Sequence, residues 1–383
     1  MPRKTPSTAA RVALNPQTHR RIVVKVGSAV LSGERGRQYQ LAIAEQIAAL
    51  KREGRQVVLV SSGAVASGMA KLGLAERPKT MPGKQAAAAV GQPVLMQRWE
   101  QAFHWFDLEV AQILLTAEDL AQRSRYLNAR HTLETLLEWG IVPVINENDT
   151  VMVEEIKFGD NDQLSALIAT LVAADLLVIL SDIEALFTAD PRSNPEARPI
   201  HFVERVDAQV MAMAGDSPNQ VGTGGMRSKL LAAEKVQAAG IPLLLLPGTQ
   251  PQSISRALAG ESVGTLFAGG NRRYGGQKLW LYQLPKPAGE IVVDAGAARA
   301  LRQGGASLLP AGIREVHGTF GVGEAVKCLD PLNHLIGVGL VNYTAAEIGR
   351  IKGAKTKDLE RILGYNHSDE VIHRDYFALA SEL

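Results

Sequence analysis

A nine-residue segment, VGTGGMRSK at 221–229, has the composition of a phosphate-binding loop. Its small residues precede the apolar-periodic run LLAAEKVQAAG, which predicts a helix that ends at Gly240. Glycine-rich backbone at a helix N-terminus directs N–H groups at an anion, and a lysine one turn into the helix adds positive charge. The segment fits neither G-x-x-x-x-G-K-[ST] nor G-x-G-x-x-G. The sequence therefore predicts a phosphate site of a less common class.

Further polar clusters interrupt the apolar runs of the first 190 residues. They are Lys25 before the Gly27 turn, SSGAVASG from Ser61, NENDT at 146–150, GDND at 159–162 and the pair Ser181–Asp182. Amide and carboxylate groups in NENDT suit the amino group of a small ligand. The two Asp residues around Asn161 could orient lysines or bind Mg²⁺.

Each cluster also has a purely structural interpretation. Lys25 could be a strand-edge lysine that reaches solvent. The residues at the end of the second apolar run, Ser61, Ser62, Gly63 and Ala64, could form the N-cap of a helix, and one residue of GDND must cap the helix that follows it. No single cluster decides the matter, but together with the loop at 221–229 they indicate a ligand site.

The clusters follow short apolar runs that read as strands. These runs are IVVKV (22–26), VVLVS (57–61), VAQILL (110–115), IVPVI (141–145), LLVIL (176–180) and PLLLL (242–246). Helical patterns alternate with them, which predicts an α/β fold: an open, mostly parallel sheet between two helical layers. In such sheets, ligands bind outside the carboxyl ends of the strands. The residues that follow each strand should therefore form the site.

The pattern changes near residue 270. We expect a basic, disordered tail at 1–20, an α/β domain at 21–268, a linker at 269–288, and a small, mainly β domain at 289–383.

Composition limits the class of protein. The first 21 residues carry five positive charges and no acid, so the net charge of +2 leaves −3 for the remainder. A single cysteine excludes an internal disulfide framework and fits a reducing cytoplasm, where we expect the protein to act. The apolar segment 164–180 contains Asp175 and reads as a core helix plus a strand, so no membrane association is expected.

The ordered motifs resemble those of the glutamate 5-kinases, a branch of the amino-acid kinase family. They are VVKVGSAVL, VSSGAVASG, PVINENDTV, IKFGDNDQLSA, TADPRSNP and VGTGGMRSKL. The segment AGEIVVDAGAARALRQGGASLLPAGI resembles the PUA domain that bacterial members often append. The resemblance implies the three-layer α/β/α amino-acid kinase fold followed by a PUA-like domain. It also implies ATP-dependent phosphorylation of the side-chain carboxylate of L-glutamate, giving L-glutamyl 5-phosphate in the first step of proline biosynthesis.

The resemblance also assigns roles to individual residues. The catalytic residues would be Lys25 and Lys229, which meet the ATP phosphates, and Asp162, which organises these cations. The glutamate-binding residues would be Ser62, Asp149 and Asn161. The ATP-binding residues would be Lys25, Ser181, Asp182, Thr223, Gly224, Gly225, Met226, Arg227, Ser228 and Lys229. No metal ligand is assigned. Arg227 departs from the family pattern, which often has a small hydroxyl residue there.

The implied cofactor is Mg²⁺, with ATP as co-substrate, and the implied partners are L-glutamate, proline as a feedback inhibitor, and further copies of the chain in a dimer or tetramer. Rival readings are family members that act on acetylglutamate, aspartate, carbamate or UMP, and an RNA-binding protein with a vestigial kinase half. The PUA-like segment argues against the first group. RNA binding is not expected, because residues 288–383 hold ten Lys and Arg against twelve Asp and Glu.

Overall fold

The computed structural model describes residues 19–151, 161–214, 225–270, 287–303, 305–365 and 368–380. Within these ranges the chain forms two compact units, one of residues 19–120 and 129–270 and one of residues 121–128 and 287–380. Nearly all of the predicted tail at 1–20 and most of the predicted linker at 269–288 lie outside the described residues. The domain boundaries given by the sequence stay predictions.

A mostly parallel sheet of eight strands forms the centre of the first unit, as predicted. The strands of this unit are β1 (Arg21–Val26), β2 (Gln56–Ser61), β3 (Val110–Leu115), β4 (Val142–Glu147), β5 (Leu176–Ser181), β6 (Leu186–Phe187), β7 (Pro199–Ile200), β8 (Phe202–Val203), β9 (Leu243–Pro247) and β10 (Thr265–Phe267). The sheet order is β3-β4-β2-β1-β5-β9-β10-β8, and β6 pairs with β7 separately. Only the β9–β10 pairing within the large sheet is antiparallel.

Helices cover both faces of this sheet. Every residue of β4 and β5 is buried, which requires packing on both sides of each strand. The helices of the unit are α1 (Ser28–Leu31), α2 (Gly36–Arg52), α3 (Ala64–Leu72), α4 (Met81–His104), α5 (Ala117–Ala121), α6 (Arg123–Glu138), α7 (Asn161–Leu171), α8 (Ala208–Ala212), α9 (Met226–Ala238) and α10 (Ser253–Leu258). The predicted three-layer α/β/α architecture is confirmed.

Strand β1 lies where the strand order reverses. It has β2 on one side and β5 on the other, and both neighbours run parallel to it. At the carboxyl end, Val26 is in register with Ser61 and with Leu180. The segments after β1, β2 and β5 therefore border one crevice, at the position where open α/β sheets bind ligands.

A second sheet of five strands forms the other unit, in agreement with the predicted mainly β domain. Its strands are β11 (Gly289–Val293), β12 (Ile313–Gly318), β13 (Ala325–Leu329), β14 (Leu335–Leu340) and β15 (Phe377–Leu379), and its helices are α11 (Ala295–Arg302), α12 (Ala345–Ile351) and α13 (Leu359–Leu363). The strand order is β12-β11-β13-β14-β15, around an apolar core of its own. In the described ranges of the chain, no helix is both long and apolar enough to span a bilayer.

Two glycines allow α3 and α4 to cross at the distance of backbone contact. A Cβ atom on Gly68 would lie 1.8 Å from the carbonyl oxygen of Ala87, and one on Gly91 would lie 1.8 Å from that of Ala64. Helix α3 begins directly after the loop that follows β2, so the crossing holds α4 against one border of the crevice.

We expect Gly91→Ala to lower the free energy of unfolding by about 3 kcal/mol, the upper end for overpacking, because the added carbon meets a backbone atom that cannot rotate away. Urea denaturation followed by circular dichroism measures this loss. The control is Ala89→Ser, which adds one atom on an exposed position of the same helix and should cost less than about 0.7 kcal/mol. Equal stability of the two variants would contradict the crossing.

Candidate active site

Helix α7 begins with two buried residues, Asn161 and Asp162, that reach into different groups of side chains. Successive residues of an α-helix point about 100° apart, so one helical turn can serve two groups at once. Gly159 and Asp160, the rest of the predicted GDND cluster, lie outside the described residues.

Asp162 joins the two lysines that the sequence marked as catalytic. Its Oδ1 lies 2.5 Å from Lys25 Nζ, and its Oδ2 lies 3.1 Å from Lys229 Nζ. The carboxylate is fully buried, and each lysine side chain is at most 5% exposed. The structure thus brings together, in one buried cluster, three residues that are far apart in the sequence.

The lysine cluster, Lys25, Asp162 and Lys229, places two ammonium groups and one carboxylate in a position almost closed to water. Each ammonium group can donate charge-assisted hydrogen bonds to the oxygens of an anion such as a phosphate. The sequence left two roles open for the Asp residues of GDND, which were to orient lysines or to bind Mg²⁺. The position of Asp162 between two lysines agrees with the first role.

Lys25 is a strand residue of the core. It is 2% exposed, between neighbours of β1 that are fully buried, so the alternative of a lysine that reaches solvent is wrong. The turn after it is tied to the neighbouring strand, because Gly27 N donates to Leu180 O at 3.0 Å. The position of this ammonium group is therefore set by the sheet.

Helix α9 supplies the second lysine from its first turn. Gly225 is the N-cap, and as a glycine it has no side chain to cap the helix. Gln163 Nε2 donates to Ser228 O at 2.9 Å and so ties this turn to α7. An uncapped helix start leaves N–H groups for an anion. In the predicted loop, Arg227 is exposed, while Thr223 and Gly224 lie outside the described residues.

Asn161 organises a second, neutral group of side chains. Its Nδ2 lies 2.8 Å from Ser62 Oγ, 2.8 Å from Asn146 Oδ1 and 3.3 Å from Ser61 O. Two of the three predicted glutamate-binding residues, Ser62 and Asn161, are therefore in direct contact. The third, Asp149, lies half buried in the turn after β4.

Asn146 is part of a strand, although the sequence suggested a loop cluster. Strand β4 continues through Asn146 and Glu147, and both are buried. The side chain is held from the other side as well, because Asn146 Nδ2 donates to Gln92 Oε1 at 2.9 Å. A side chain on a strand with both ends of its amide bonded is a rigid element of a site.

The two serines after β2 do not cap α3. Gly63 is the N-cap, with no side-chain capping bond and a φ of +114°, which favours glycine. Ser61 instead accepts a hydrogen bond from Trp99 Nε1 to its Oγ at 2.8 Å. The structural alternative is therefore confirmed at Gly63 and wrong for the two serines, whose side chains bond to Trp99 and Asn161.

Ser181 and Asp182 lie at the end of β5, next to β1. Ser181 is buried and its Oγ donates to Asp182 Oδ1 at 3.1 Å, while Asp182 is exposed. The structure places this pair on the same edge of the sheet as Lys25, because β5 and β1 are parallel neighbours.

Four residues of the site were missed from the sequence: Gln92, Trp99, Asn146 and Gln163. Asn146 stood within the NENDT cluster, but nothing separated it from its neighbours. Gln92 and Trp99 lie in an Ala-rich helix with no polar motif. Among the described residues, no group of three or more His, Cys, Asp or Glu side chains could hold a metal ion.

Comparison with known proteins covers both units. A sequence model of the amino acid kinase family matches residues 20–246, and one of the PUA domain matches residues 289–363. A glutamate 5-kinase of Meiothermus ruber is 78% identical over 97% of this chain and 99% of its own length. A glutamate 5-kinase of Thermus thermophilus is 59% identical over 95% of this chain and 98% of its own. Among solved structures, the carbamate kinase from Giardia lamblia bound to AMP-PNP is 18% identical over 65% of this chain and 98% of that protein, with a TM-score of 0.48.

Proposed function

Because the chain belongs to the glutamate 5-kinases of the amino acid kinase family, we propose that it transfers the γ-phosphoryl group of ATP to the side-chain carboxylate of L-glutamate. The product is L-glutamyl 5-phosphate, made in the first step of proline biosynthesis. The observation that carries the proposal is the start of α7, where Asp162 forms ion pairs with two buried lysines and Asn161 donates hydrogen bonds to Ser62 and Asn146. One helix turn thus joins an anion subsite to an amide-rich subsite.

We assign the phosphates of ATP to the lysine cluster and to the first turn of α9. We assign the remaining nucleotide contacts to Ser181, Asp182 and residues 223–229. We assign glutamate binding to Ser62, Asp149 and Asn161. Support comes from the two buried ammonium groups of the lysine cluster and from the glycine N-cap of α9, which has no side chain to occupy the helix start. The neutral hydrogen-bonding groups around Asn161 suit the amino-acid backbone of the acceptor.

The chemistry requires no general base. A glutamate side chain has a pKa near 4.3, so its carboxylate is already a nucleophile at neutral pH. One carboxylate oxygen forms a bond to the γ-phosphorus, the bond from that phosphorus to the bridging oxygen breaks, and ADP leaves with the electron pair. No proton moves. Repulsion between the two anions is the main obstacle, and Lys25 and Lys229 reduce it by neutralising phosphate charge.

We propose that Mg²⁺ arrives with ATP, held mainly by phosphate oxygens and water. Mg²⁺ in nucleotide sites often uses only one or two protein carboxylates, and the buried carboxylate of Asp162 already contacts a lysine at each oxygen. Asp162 would therefore act through the lysines. When bound, the cation supplies further neutralisation of the phosphates.

Hydroxylamine trapping tests the proposal, because acyl phosphates react with hydroxylamine to give hydroxamates. Added ferric ion forms a coloured complex with the hydroxamate. With ATP and Mg²⁺, we expect hydroxamate from L-glutamate and none from aspartate or N-acetylglutamate. Omission of ATP or chelation of Mg²⁺ should abolish the signal. A signal from N-acetylglutamate alone would contradict the proposed acceptor.

A further inference from the structure

We infer that Gln92 and Asn146 are positioning residues that fix which atoms of Asn161 and Ser62 face the substrate glutamate. Through them Asn161 presents a hydrogen-bond acceptor and Ser62 a donor, and this pair selects a free α-ammonium group. The inference rests on the proposed function, since it concerns how the same site recognises glutamate.

The orientation of the Asn161 amide is identified by its contact with the Ser61 carbonyl oxygen and is held mainly by its shorter contact with Asn146 Oδ1. Asn161 Nδ2 lies 3.3 Å from the backbone carbonyl oxygen of Ser61. A carbonyl oxygen only accepts hydrogen bonds, so the NH₂ end of the amide must face β2. A rotation of this amide by 180° would place two oxygens against each other.

The side chains of Asn146 and of Gln92 in α4 continue this hydrogen-bonded chain. Because Asn161 offers its NH₂ end, Asn146 must offer Oδ1, and the distance between the two atoms is 2.8 Å. The Nδ2 of Asn146 is then on the other side and donates to Gln92 Oε1 at 2.9 Å. Gln92 follows Gly91, the residue at which α4 crosses α3, so its backbone is anchored by that crossing.

This orientation determines which polar atoms of Asn161 and Ser62 remain available to a ligand. The NH₂ group of Asn161 has two hydrogens for three nearby acceptors, so its donor capacity is fully used. Its Oδ1 accepts no bond from the described part of the chain. Ser62 Oγ accepts from Asn161, so the hydroxyl hydrogen of Ser62 points elsewhere.

An acceptor and a donor side by side match the two charged groups of an amino acid. The oxygen of Asn161 suits an ammonium group, and the hydroxyl of Ser62 suits a carboxylate. Hydrogen bonds to charged groups are stronger than neutral ones, so loss of the Asn161 acceptor should weaken ligands that carry the ammonium group more than ligands that carry only carboxylates.

The test compares Gln92→Met with Gln92→Glu. Gln92→Met removes the acceptor at similar length, whereas Gln92→Glu keeps an oxygen for Asn146. We expect Gln92→Met to raise KM for glutamate about tenfold, the lower end of the effect of a hydrogen bond to a charged group, with KM for ATP unchanged. Gln92→Glu should restore KM to within about threefold of the original value. Gln92→Ala replaces Gln92→Met if the latter does not fold.

The readout that separates positioning from general distortion is glutarate, which lacks the α-amino group. Its inhibition constant against glutamate should rise less in Gln92→Met than KM for glutamate does, because only glutamate has an ammonium group for the Asn161 oxygen. Parallel weakening of glutarate and glutamate, or an unchanged KM for glutamate, would overturn the inference while hydroxamate formation by the original chain upholds the proposed function. Absence of hydroxamate from the original chain would contradict both.

Discussion

Replacement of Lys229 by alanine should lower kcat by a factor of about 100 to 1,000, the usual cost of losing one preorganised group that stabilises transition-state charge. Lys229 is buried in the first turn of α9 and bonded to Asp162, so its ammonium group cannot be replaced by a mobile neighbour. Glutamate binding should change little, because the residues around Asn161 do not include this lysine.

Steady-state kinetics and calorimetric titration of glutamate measure the two effects separately. Lys235→Ala is the matched control, since it removes a half-buried lysine near the other end of the same helix and should leave kcat unchanged. Near-normal turnover of Lys229→Ala would remove this lysine from the proposed mechanism.

Asp162→Asn should reduce both activity and stability. The substitution keeps the shape of the side chain but removes the negative charge between two buried ammonium groups. Breaking a buried ion pair by removal of one partner costs about 3–5 kcal/mol, and we expect a loss of about 3 kcal/mol in the free energy of unfolding. Turnover should fall at least about 100-fold, because the lysines lose the group that orients them.

Denaturation with and without ATP provides the sharper measurement. Phosphate charge can replace the missing carboxylate, so ATP should stabilise Asp162→Asn more than it stabilises the original chain. Asp190→Asn removes one partner of the exposed pair with Arg192 and should leave the unfolding transition nearly unchanged with or without ATP. If Asp162→Asn unfolds like the original chain, the lysine cluster does not depend on this carboxylate.

The sequence predicted six strands of the first unit and missed the short strands β6, β7, β8 and β10. Short apolar runs predicted β1, β2 and β5 to within one residue, because strands covered on both faces are mostly apolar, although β1 also holds the buried Lys25. Strand β4 departs further from this pattern. Its polar residues Asn146 and Glu147 are buried within the strand, because neighbouring side chains from α4 and α7 bond to the Asn146 amide.

The sequence predicted residues of the candidate site but not the contacts between them. Lys25, Asp162 and Lys229 stand out by type and by position near a strand end or at a helix start, and their roles stay predictions. That one carboxylate contacts both lysines depends on the sheet order, in which β1 separates β2 from β5. Gln92 left no trace in the sequence, since a single glutamine in an Ala-rich helix is ordinary surface composition.

The adjacency of Asn161 and Asp162 has a consequence for the distance between the two substrates. Under the proposed function, the residue that addresses the acceptor and the residue that orients the donor's lysines are joined by one peptide bond. Their Cα atoms are therefore held about 3.8 Å apart by covalent geometry. Thermal motion of α7 can move the two residues together but cannot change the distance between their Cα atoms. The covalent chain therefore sets the spacing between the glutamate subsite and the phosphate subsite. A one-residue insertion between Asn161 and Asp162 should displace both side chains and so impair binding in both subsites.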